Sequence, residues 1–94
     1  MTKNEKREHG DVLYEAILTL KDLDECKKFF SDLCTVAELR AMEQRFEVAT
    51  LLSDDMIYND ILERTGASSA TISRVNRSLQ YGADGYQAVD RKSV

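Results

Sequence analysis

Apolar residues recur every three or four positions through most of this chain, and no stretch alternates apolar with polar residues long enough to suggest a strand. The pattern predicts an all-α fold. Val12, Leu13, Ala16, Ile17 and Leu20 lie along one face of a first helix that Asp11 is placed to cap. After Asp22, a second stripe of Leu23, Cys26, Phe29, Phe30 and Leu33 ends near residues 31–34. Thr35-Val36-Ala37-Glu38 then has the form of a capping box, in which the threonine oxygen accepts from the amide three residues on and the glutamate reaches back.

A long third helix starts there. Leu39, Met42, Phe46 and Ala49 recur along it, and Val48, Leu51 and Leu52 widen the apolar surface beyond one stripe, which calls for more than one neighbour. The first two helices offer few turns to cover it, so part of that cover is expected from a second subunit. Ser53-Asp54-Asp55 breaks the period and supplies oxygens to cap a fourth helix carrying Ile57, Ile61 and Leu62 to about Thr65.

Gly66 follows, a residue that tolerates the left-handed backbone of a tight turn between helices. Ser68 or Ser69 caps a fifth helix with Ile72, Val75 and Leu79 directed inward. Residues 58–82 therefore read as a helix-turn-helix within a motif region of about 56–82. Beyond it, residues 81–85 have turn chemistry, residues 86–89 suit one more helical turn, and residues 90–93 are polar. Residues 1–10 read as a flexible polar tail, and residues 11–94 as a single helical domain.

Composition narrows the possibilities. In 94 residues, 43% hydrophobic and 32% charged, no apolar run is long enough for a membrane-spanning helix. The N-terminal segment has no apolar export core, which points to the cytoplasm. Cys26 and Cys34 fit neither zinc spacing nor a disulfide framework and are expected as buried thiols. His9 is the one histidine and lies in the expected tail, so no enzyme, metal site or cofactor is expected. The acidic runs at Asp22-Leu23-Asp24-Glu25 and Asp54-Asp55 suit helix starts better than metal ligands.

Thirteen basic against 17 acidic residues give a net charge of −4, which weighs against a polyanionic partner until the distribution is considered. Between Gly66 and Gly82 the charged residues are Arg74 and Arg77 alone. In a helix-turn-helix the start of the second helix enters the major groove, which here presents Ser68, Ser69, Ala70 and Thr71, followed by Ser73, Arg74, Asn76 and Arg77. Hydroxyls and guanidinium groups bond to phosphates and base edges, and Ala70 or the Thr71 methyl matches a thymine methyl. Double-stranded DNA is the expected partner; a protein-interaction module with the same shape is the alternative that the acidic balance favours.

Thr35-Val36-Ala37-Glu38, Gln44-Arg45, Leu51-Leu52 and the run from Gly66 through Arg74 fall in an order that resembles the Trp repressor superfamily, over roughly residues 33 to 82. The resemblance implies an intertwined homodimer that binds a roughly palindromic operator and acts as a transcriptional repressor. In tryptophan-binding members a threonine, an arginine, and a second arginine and a serine form the effector pocket. By position these are similar to Thr35, Arg45, Arg74 and Ser78. Arg45 suits an ion pair between helices or subunits equally well. Those members carry glycine after the recognition-helix arginine, where this chain has Val75, a branched side chain that would fill the cavity. A different small effector, or none, is thus expected in place of L-tryptophan.

Overall fold

The computed structural model describes residues 9–89, which form six helices and no strand. They fall into two compact units that meet in sequence at Val36 and Ala37.

The N-terminal unit holds α1 (His9–Ile17) and α2 (Leu23–Leu33). Asp11 was expected to cap α1, but the helix already includes His9 and Gly10, which places Asp11 in its first turn. There its carboxylate acts on the helix dipole and cannot cap, because capping requires a residue outside the helical backbone. His9 and Gly10 of the expected tail are thus helical, and its remaining residues, 1–8, lie outside the described residues. Asp22 caps α2 by accepting from the Glu25 amide at 2.9 Å, while the Glu25 carboxylate accepts from the Lys21 amide at 2.9 Å. This is a capping box displaced by one residue at the returning contact.

No residue of α2 is buried, and α1 has none buried among those whose exposure is described. Leu18 is 83% and Leu23 70% exposed. Cys26 and Cys34, expected buried, are free and half-buried, because the stripe on which they lie is left largely uncovered within one chain.

The second unit contains the core. Most of α3 (Val36–Ser53) belongs to it, followed by α4 (Tyr58–Thr65), α5 (Ser69–Tyr81) and a single turn, α6 (Gly85–Ala88). Val48, Ala49 and Leu51 from α3 pack with Ile61, Ala67, Ile72 and Val75, and Leu52, Met56 and Leu79 pack against that cluster. Full burial of an Ile or Val contributes about 1.5–3 kcal/mol, so this small cluster dominates the cohesion of the unit.

Asp54 and Asp55 were expected to cap α4, yet its N-cap is Ile57, with no side-chain cap bond. The acids instead close α3. The Met56 amide donates to the Leu51 carbonyl at 3.1 Å and the Asp55 amide to that of Leu52 at 3.0 Å, with Asp55 left-handed at φ 64°. That pairing is a Schellman motif, which needs its left-handed residue where Asp55 stands and brings Met56 onto the core. The last turn was expected at residues 86–89 and forms one position earlier; residues 90–93 lie outside the described residues.

Candidate nucleic-acid interface

The turn between α4 and α5 is built by its residue types. Gly66 adopts φ 73°, ψ 5°, and its amide closes α4 on the Leu62 carbonyl at 2.9 Å. A side chain costs free energy in that left-handed region, and glycine has none. Ala67 then turns inward, 1% exposed, its amide donating to the Thr65 hydroxyl at 3.1 Å. Ser68 caps α5: its Oγ accepts from the Thr71 amide and donates to Thr71 Oγ1, both at 3.1 Å.

Within α5, Ile72 and Val75 are three apart and buried, which commits the opposite face to solvent. Ser68, Ser69, Ala70, Ser73, Arg74 and Arg77 are exposed there, while Thr71 and Asn76 are half-buried beside them. The Gln80 side-chain amide donates to Asn76 Oδ1 at 3.4 Å, which leaves the Asn76 amino group as a donor. The helix thus offers hydroxyls, an amide and two guanidinium groups, with no acid in its first or last turn. Its N-terminal end also carries the positive pole of the helix dipole. Such a surface suits phosphate and base-edge acceptors.

The residues matched to an effector pocket fall on different elements. Thr35 lies in the N-terminal unit and is exposed. In the second unit Arg45 is half-buried on α3, whereas Arg74 and Ser78 are exposed on α5. Ser78 lines a cleft of about 440 Å³ with Phe46, Tyr86 and Val89; Arg45 and Arg74 are not among its lining residues. Phe46 and Tyr86 lie with ring centroids 6.5 Å apart. Val75, 1% exposed, is a member of the core.

Two further contacts hold the motif: Gln80 with Asn76, whose i,i+4 spacing on α5 signals it in the sequence, and Gln44 on α3, which donates to the Thr65 carbonyl at 3.2 Å and had no signal in the residue pattern. No group of three or more His, Cys, Asp or Glu positioned to hold a metal occurs among the described residues. No described helix is long and apolar enough to cross a membrane.

A family model described as Trp repressor protein matches residues 8–93. An uncharacterized protein of Bacillus subtilis strain 168, YerC, is 54% identical over 82 residues, covering 86% of this chain and 79% of the relative. The crystal structure of a TrpR-like protein from Eubacterium eligens superposes with a TM-score of 0.86 at 53% identity, covering 97% of this chain and 94% of that one. A candidate Trp repressor from Staphylococcus aureus gives 0.85 at 45% identity, covering 100% and 96%.

Proposed function

The chain belongs to the Trp repressor family, and from that premise we propose that it is a sequence-specific DNA-binding transcriptional regulator, a repressor, working as a cytoplasmic homodimer. The observation that carries this reading is the two-sidedness of α5: Ile72 and Val75 anchor one face in the core, and the other presents Ser69, Ala70, Ser73, Arg74 and Arg77 to solvent. A rod anchored in this way can enter a major groove without unfolding anything.

The uncovered apolar residues of α1 and α2 support the dimer, since one chain leaves them facing water. Two-fold symmetry then sets the recognition helices about 34 Å apart, on successive major grooves of a roughly palindromic operator. Val75, standing where tryptophan-binding members are expected to carry glycine, supports a regulator that does not take L-tryptophan as its effector. One observation favours a second reading, a protein-interaction module: the net charge of −4 opposes general attraction to a polyanion.

Gel-shift against genomic fragments separates the two. Selective retention that weakens as salt rises is the expected result. If no fragment is retained even at low salt, the regulator reading fails and the interaction module takes its place.

A further inference from the structure

Thr65 is the last residue of α4, so its carbonyl is among those that a helix leaves without an internal partner. Gln44 Nε2 supplies one from α3, at 3.2 Å and across 21 residues of sequence. The acceptor lies at the hinge itself, immediately before the left-handed Gly66. The Thr65 hydroxyl also donates to the Ile61 carbonyl at 2.7 Å and accepts from the Ala67 amide at 3.1 Å. One residue thus joins α3 through Gln44, the body of α4 through Ile61, and the approach to α5 through Ala67.

We propose that Gln44 is a positioning residue for DNA recognition, its hydrogen bond to Thr65 setting the angle at which α5 leaves the turn; the proposal rests on the DNA-binding reading above. Contacts among Ile61, Ile72 and Val75 hold the helices together, but burial is non-directional and resists separation more than a small rotation. A hydrogen bond weakens steeply with misalignment and so resists the rotation.

The lever reaches the base readers. Thr71 and Ser73 lie two and four residues beyond Ser69, about 3 and 6 Å along the helix axis, so a swing of about 10° about the turn displaces them by about 0.5 and 1 Å. Contacts to base edges weaken over displacements of that size, whereas flexible arginine side chains can follow phosphates through them. Loss of the tie therefore reduces specific binding and spares nonspecific binding.

Gln44→Met keeps the length of the side chain and removes the donor, while Gln44→Asn keeps the amide and withdraws it by one methylene. Each is titrated against the fragment the parent retains best and against a scrambled duplex, at folded-protein concentrations matched by circular dichroism. Specific affinity is expected to fall about tenfold in both variants, with scrambled-duplex affinity within about twofold of the parent. Equal losses on both duplexes, or no loss on either, overturn the proposal. If the parent retains no fragment, the DNA-binding reading itself falls, an outcome distinct from parent and variants binding alike.

Discussion

Substitution of Gly66 isolates a single backbone conformation. A Cβ added there meets nothing within 4 Å, and the residue sits at φ 73°. Gly66→Ala creates no clash, and its amide can still donate to the Leu62 carbonyl. What remains is the left-handed conformation, about 1–2 kcal/mol for an ordinary L-residue. Against this, alanine narrows the unfolded ensemble and returns about 0.4–1 kcal/mol. The net expectation is a loss of roughly 1 kcal/mol, or about 4–8 °C in Tm for a chain of this size. Asparagine tolerates the left-handed region, so Gly66→Asn should cost less than Gly66→Ala, and the β-branched Gly66→Val more. Urea titrations followed by circular dichroism, at one protein concentration for all four proteins, measure the order directly. Alanine as stable as the parent, or asparagine as costly as valine, would refute the argument.

Gly82 offers the opposite case: its φ of −84° is ordinary, but an added Cβ lies 2.4 Å from the Ser78 carbonyl oxygen, so Gly82→Ala should destabilise by about 1–3 kcal/mol through a backbone clash, read in the same titration. Ser68→Ala removes the α5 cap and should cost about 1 kcal/mol in thermal unfolding. In binding isotherms Thr71→Ala should relax base choice at one position per half-site by about 1–3 kcal/mol. Arg77→Ala should weaken binding to all sequences and reduce the salt slope by about 1. L-tryptophan at millimolar concentration should leave both Tm and operator affinity unchanged in a thermal-shift and gel-shift pair.

The helices were legible where a local rule decides them. Gly66 stops α4 as its lack of a side chain suggests, Ser68 takes the cap that Ser68 or Ser69 could supply, Asp22, expected only as a helix-start charge, caps α2, and the inward positions Ile61, Ile72 and Val75 follow from helical spacing alone. The acids after α3 were misread because Asp55 can either cap the next helix or close the previous one, and the path of the chain through the turn decides between them. Cys26 and Cys34 were expected to be buried because a stripe identifies the apolar face without saying what covers it. For the candidate site, residue type and spacing were enough to nominate the exposed side of α5. The Gln44 bond to Thr65 was not visible in this way, since a glutamine 21 residues from a carbonyl carries no periodic signal.

The bareness of α1 and α2 has a further consequence. Isolated helices shorter than about 12–15 residues are marginal in water. The two segments show nine and 11 helical residues, none of them buried among those whose exposure is described. In the proposed homodimer their order would be set by abundance: at high copy number the second subunit would shield them, and on dilution they would become the first target for a protease, ahead of the cluster around Val48 and Ile72. The N-terminal helices would in this way act as a gauge of how much of the protein is present.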